Sequence, residues 1–230
     1  KVFVIFNHYI YIHYNTMKIQ ILISKTSWAN KYESTILAKL KKYSKKLEIL
    51  QSHKKLKKDY DINIIFSYFK IIPKKYLLKS QINLIPHESN LPHGRGMSPI
   101  SWQILENKKK IYFSLIEADQ QIDSGKIYYT KKISIPKHFL FDEIKKIKLN
   151  TNLKLIERFI IHYKKKLTTP KSTKQLGKVS FYKRRIPKDS EIDIKKSIEK
   201  QFNLLRIADN QNYPTFFKIH GKKFFLKINK

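Results

Sequence analysis

The chain has 230 residues, 41% of them hydrophobic, with 14 Phe, 14 Tyr and a formal net charge of +32. That apolar content supports a packed core, which excludes a disordered chain, and the length fits one domain with a small appendage. The absence of cysteine excludes disulfides, thiolate zinc sites and a cysteine nucleophile.

Clustered cations gain affinity for nucleic acid by releasing phosphate counterions, so the charge first suggests an RNA or DNA partner. Yet only Arg95, Arg158, Arg184, Arg185 and Arg206 among the 49 basic residues are arginine. Base and phosphate recognition favours the bidentate guanidinium fork over lysine. Lysine here accompanies abundant Ile, Asn and Tyr, the residues of A- and T-rich codons. The Lys runs therefore read as solvated faces, with a surface for RNA, membrane or an anionic substrate as the alternative. Residues 1–16 are apolar but interrupted by Asn7, His8, His13 and Asn15, too short a run to span a bilayer. They read as a leader or mis-set start ahead of Met17. A soluble, cytoplasmic protein is expected, with no membrane partner.

In chain order, residues 19–23 suit a buried parallel strand. Residues 32–47 place Ile36, Leu37, Leu40 and Leu47 near helical spacing, with Lys on the other face. A second strand is expected over 62–66, then a short helix over 74–79 opened by Pro73. A strand over 82–85 follows and runs into a glycine-punctuated loop. Ser98-Pro99 predicts a helix start, with Ser as cap and Pro at the first helical position. Strands over 111–117 and 126–135 flank the loop ADQQIDSG, and a long amphipathic helix over 141–163 turns Ile144, Ile147, Leu155, Ile156 and Phe159 inward. Residues 168–179 have linker composition. Beyond them lie a helix over 198–206 and a hairpin over 216–228 turning at His220-Gly221. Such alternation predicts an α/β, Rossmann-like and mostly parallel sheet with helices on both faces, plus a small C-terminal α+β appendage. The expected domains are a leader over 1–16, a catalytic domain over 17–167, a linker over 168–179 and a module over 180–230.

The run from Asn83 to Gly125 carries the chemistry. It sets HESNLPHGRGMSP ahead of EADQQIDSG: a histidine, an LP-x-G-x-G loop, a helix start, then an aspartate before a small residue and glycine. In that order these motifs resemble the folate-dependent formyltransferases. The resemblance extends through KIIP at 70–73 to NLLRIADNQNYPTFF, which is similar to a segment of sugar N-formyltransferases.

The resemblance implies the formyltransferase fold and transfer of a formyl group from 10-formyltetrahydrofolate to an amine. His87 and Asp123 match the family's catalytic His and Asp. The family's Asn, two residues before the His, is Ile85 here. Asn83 lies four back, about 13 Å away at roughly 3.3 Å per residue, and with Asn90 is the candidate substitute. Co-substrate contacts are expected at Phe69 and Ile71, at Arg95, Gly96, Met97 and Ser98, and at Asp119 and Ile122. Gly94 and Gly96 would let backbone approach a ligand, and the helix start would face an anion. No metal site is expected, since the eight His are scattered. The expected acceptor is an amino-sugar, free or nucleotide-linked, in surface polysaccharide or nonulosonic acid synthesis, and a homodimer is compatible with the sequence. The alternatives are a methionyl-tRNA formyltransferase-like enzyme, or a Lys-rich, non-catalytic binding protein.

Overall fold

The computed structural model describes residues 17–230; the segment read as a leader lies outside them. Two compact units interleave along the chain. One holds residues up to His87 with Phe113–Lys131 and Thr151–Gly177, and the other holds Glu88–Tyr112, Lys132–Asn150 and Lys178–Lys230.

The first unit is built on a mostly parallel sheet. Strand β1 (Lys18–Leu22) is followed by helix α1 (Glu33–Lys41), β2 (Lys46–Leu50), β3 (Tyr60–Ile65), the short α2 (Lys74–Leu77) and β4 (Ser80–His87). These four strands lie parallel in the order β2-β1-β3-β4. Parallel neighbours need crossover connections, which the helical segments supply. One face is apolar, with Ile19, Ile21, Ile62, Ile64 and Leu84 buried, and Leu22 and Ile65 are buried on the other.

Strand β2 departs from expectation, because residues 32–47 were read as one helix. The helix ends at Lys41, and Lys46–Leu50 turn extended. The strand lies at the edge of the sheet, where Lys46 stays exposed and Glu48 pairs with Lys57 at 2.6 Å and accepts from Tyr60 Oη. Those charges break the apolar run by which a strand is recognised.

A polar row crosses the sheet. In register, Glu48, Gln20, Asn63 and Asn83 sit on β2, β1, β3 and β4. Gln20 donates to Ser80 Oγ at 2.9 Å and accepts from the Lys57 N–H at 3.1 Å, and Asn63 donates to Asn83 Oδ1 at 2.9 Å. Buried amides are retained only when so partnered.

After β4 come β5 (Arg95–Gly96), α3 (Pro99–Leu105), β6 (Ile111–Glu117) and β7 (Ile127–Ile133). Strand β6 runs antiparallel to β4 and β7 lies beyond it, which completes six strands. Helix α4 (Phe141–Lys166) follows, then β8 (Phe181–Tyr182), α5 (Ile198–Arg206), β9 (Thr215–Ile219) and β10 (Lys222–Leu226). The last two strands form the predicted hairpin; its turn residues His220 and Gly221 have φ of 49° and 70°, as a two-residue turn of this hand requires.

In the second unit the glycine loop is packed against chain. The N–H groups of Gly94 and Arg95 both donate to Ser180 O, at 3.1 and 3.0 Å, and Met97 N donates to Tyr182 O at 3.0 Å. A Cβ on Gly96 would lie 2.5 Å from Tyr182 O, and one on Gly94 would lie 2.5 Å from the Tyr182 ring. These glycines make room for β8, where the sequence suggested room for a ligand. Arg206, buried, donates to Phe139 O at 3.0 Å and Pro136 O at 2.7 Å, and the Asp209 carboxylate accepts from the N–H groups of Gln211 and Asn212.

Not every lysine belongs to a solvated face. Lys148 and Lys164 are buried, and Lys148 pairs with buried Glu88 at 2.8 Å. Burial and the neighbouring Lys148 push Lys145 down from 10.5 to about 7. The unfolded chain therefore binds the extra proton between those values, so the destabilisation through Lys145 is full below about 7 and fades as pH rises toward 10.5. Replacing Lys145 by Met should stabilise the fold near neutrality. The gap from the unsubstituted chain should narrow in denaturant unfolding as pH is raised through that window.

Candidate active site

His87 is the last residue of β4, at the carboxyl end of a parallel strand, where open α/β sheets place their ligands. The β4–β6 register sets it opposite Ser114, and its side chain is 7% exposed. Strand β6 runs the other way and ends level with Asn83, whose carbonyl accepts from Ala118 N at 2.9 Å. The following loop then folds back along β4. It brings Asp123 Oδ2 to 3.5 Å from His87 Nδ1, with the carboxyl side chain 13% exposed. That separation is in ion-pair range and longer than a direct hydrogen bond. A partly buried carboxylate facing Nδ1 orients the imidazole and favours one tautomer.

The loop owes its shape to its own residues. The Asp119 carboxylate accepts from Gln120 N at 2.6 Å, and the single Ser124 hydroxyl proton is shared between Asp119 Oδ2 at 3.3 Å and Gln121 O at 3.0 Å. Asp123 sits at φ 50°, in the left-handed region that Asp tolerates better than most side chains. At the stem Glu117 N donates to Lys126 O at 3.0 Å, and a Cβ on Gly125 would lie 1.8 Å from Glu117 O. Only glycine fits there.

Of the residues named from sequence, the structure brings together His87 and Asp123. Asn83 is committed elsewhere: its amide accepts from Asn63 and donates to Leu77 O at 2.9 Å. It closes the polar row and makes no bond to His87. Ile85 stands in an apolar cluster of Leu22, Leu50, Leu56, Ile65 and Ile72, together with Ala118. Position 85 is partly buried and meets hydrocarbon on its packed side, which suits Ile better than a carboxamide. Phe69 and Ile71, 40% and 69% exposed, lie on the loop beyond the carboxyl end of β3, where Phe69 N donates to Ser24 Oγ at 2.8 Å. Ile122 is 50% exposed on the Asp123 loop.

Arg95, Gly96, Met97 and Ser98 belong to the second unit. Arg95 N and Met97 N are engaged with β8, so they offer nothing to an anion. Ser98 precedes a helix of seven residues, but at φ 54° its side chain makes no cap. The Pro99 ring at the first helical turn, with its fixed φ, starts the helix instead.

Two groups escaped the sequence reading. Glu88, buried beside Lys148, also offers its carbonyl to Gln103 Nε2. Gln175, in the stretch of linker composition, donates to Asp123 O at 2.7 Å and Gly125 O at 2.9 Å. Glu88 lies within the HESNLP run without a role assigned to it and Gln175 lies in no motif; their partners reveal them. Among the described residues there is no group of three or more His, Asp or Glu able to hold a metal ion. None of the described helices is long and apolar enough to cross a membrane.

The sequence signature of formyl transferases matches residues 18–156. The chain belongs to the formyl transferase family. Among its formyl transferase relatives, a methionyl-tRNA formyltransferase of Buchnera aphidicola is 36% identical over 67% of this chain and 49% of its own length. The chain thus spans about half the length of the curated relatives it matches. The fold is shared with a methionyl-tRNA formyltransferase from Clostridium thermocellum, at a TM-score of 0.75 and 21% identity over 92% of each chain. It is shared also with a sugar N-formyltransferase from a Shewanella species, at a TM-score of 0.63 and 13% identity over 92% of this chain and 97% of that one. The α/β architecture with a mostly parallel sheet is therefore that of the family.

Proposed function

We propose that this chain transfers a formyl group from 10-formyltetrahydrofolate to a primary amine, the acceptor being the amino group of an amino-sugar. The observation that carries the reading is the pairing of buried His87 with the partly buried Asp123 at the carboxyl end of β4. Attack of a neutral amine on the formyl carbon forms a C–N bond and a tetrahedral oxyanion. Collapse breaks the bond to the folate nitrogen, which takes up the proton that the amine loses. With Nδ1 turned toward Asp123, the imidazole can hydrogen-bond the oxyanion and carry that proton through Nε2. Asp123 fixes the ring and balances its charge while it is doubly protonated.

By the family resemblance, the backbone over 66–72 would hold the pterin, with Phe69 and Ile71 offering apolar surface. Asp119 and Ile122 would close over it from their loop. Ile85 supplies no donor where the family has Asn, so oxyanion stabilisation falls more heavily on His87. The amino-sugar reading rests on the stretch from Arg206 to Pro214, where Arg, Ala, Tyr and Pro recur as in sugar N-formyltransferases. Its supports within the second unit are the Arg206 clamp and the Asp209 turn. A second reading, initiator tRNA as acceptor, is favoured by the names of the curated relatives.

One assay separates the two. Enzyme and 10-formyltetrahydrofolate are incubated with a panel of free and nucleotide-linked amino-sugars and with methionylated initiator tRNA, and the products are weighed by mass spectrometry. A single formyl adduct on a sugar and none on the tRNA is expected. An adduct on tRNA alone would transfer the assignment to the second reading. Failure with every amine would remove both.

A further inference from the structure

The geometry points to Gln175 as a positioning residue for the His87–Asp123 pair, an inference that rests on the catalytic reading above. Its carboxamide nitrogen has two hydrogens, and both are used on the Asp123 loop: one on Asp123 O at 2.7 Å, the other on Gly125 O at 2.9 Å. Two residues earlier, Thr173 exchanges both backbone bonds with Ile127, at 2.8 and 2.9 Å. Positions 123, 125 and 127 are thus held in turn by a single strap, two by a side chain and one by backbone. Gln175 continues with its amide a ladder that Thr173 begins.

The strap does something the loop cannot do for itself. The internal bonds of the loop run from Asp119 to Gln120 and Ser124, and from Ser124 to Gln121. None of them fixes the Asp123 carbonyl. A non-glycine residue at φ 50° relaxes toward the right-handed or extended regions unless its peptide groups are held. Rotation of the Asp123 peptide would swing the carboxylate from His87, and at 3.5 Å the pair has little reach to lose. The two N–H donors hold the peptide on the carboxyl side of the strained residue and the stem glycine together. Gln175 acts through Asp123 and needs no contact with substrate.

The test uses the full chain with Gln175→Ala, Gln175→Glu and Asp123→Asn. The Glu variant turns two donors into carboxylate oxygens facing carbonyls and should be the more damaging at position 175. The first readout requires no turnover: the imidazole ¹⁵N signals of His87 at fixed pH, which report ring environment and tautomer. In Gln175→Ala they should move most of the way toward their positions in Asp123→Asn. The second readout is formyl transfer, where kcat should fall about tenfold or more while KM for the amine stays within about twofold. A merely structural strap would lower the melting temperature and leave both readouts unmoved in the folded protein. His87 signals of Gln175→Ala that overlay the unsubstituted ones, while Asp123→Asn moves them, would overturn the inference. If Asp123→Asn also left them in place, the pair itself would be refuted, and this inference with it. Signals that move as expected in a chain that transfers no formyl group would uphold the positioning role and defeat only the reaction reading.

Discussion

Replacing His87 by Ala should reduce kcat for formyl transfer by about two to four orders of magnitude, the usual range for a general acid–base group. The ring is a titratable group brought to 3.5 Å from Asp123, and Ile85 leaves position 85 without a donor. The fold should survive, because His87 ends its strand and the β4–β6 pairing is made by backbone. The check is single-turnover transfer from 10-formyltetrahydrofolate beside a circular dichroism spectrum and a melting curve. A folded variant with undiminished turnover would falsify the catalytic role of His87. Asp123→Asn should fall less far, since the ring remains and loses only its charged partner.

Gly125→Ala should be the most damaging single-methyl change in the first unit. The added Cβ would lie 1.8 Å from Glu117 O and 2.7 Å from Glu117 C, both backbone atoms of a paired strand that cannot swing aside. Relief requires opening the stem, which breaks the 3.0 Å bond from Glu117 N to Lys126 O and carries Asp123 away from His87. Overpacking of this kind costs about 1–3 kcal/mol and sometimes more. Transfer should be nearly abolished, with hydrogen exchange accelerated over 117–127. Gly177→Ala is the matched control: its φ is 106°, so Ala is strained there, yet nothing lies within 4 Å of the new methyl. It should lose some stability and keep its turnover. Gly125 has no left-handed φ, so equal loss of activity in both variants would mean that the stem contact is not what sets the loop.

Both variants bear on what could be read in advance. His87 and Asp123 were legible because the family motif fixes their order in the chain, and the strand before His87 was legible because alternating Ile and Leu mark it. Asn83 was legible as a polar residue on the same face, but not as the end of a row. Its partner Asn63 is twenty residues away and meets it only through the parallel register. The glycines at 94 and 96 announced a close approach without naming the approaching group, which is Tyr182. Gln175 sits in a stretch whose composition promises only flexibility, and the bonds that hold it cross fifty residues.

By itself, the sequence determined the first strand, the strand and helix alternation from 60 onward apart from the two-residue β5 and β8, the hairpin at the C-terminal end, the family and the two residues of the proposed chemistry. Those rest on periodicity and on local turn chemistry, which act over a few residues and leave their mark in the order of side chains. Only the tertiary structure decided that β2 is a charged edge strand, that Ile85 belongs to an apolar cluster, and that the Asp123 loop is strapped by Gln175. Each of these is a contact between segments distant in the chain. Free energy there depends on which partner a buried group meets, and no short run of residues states that partner.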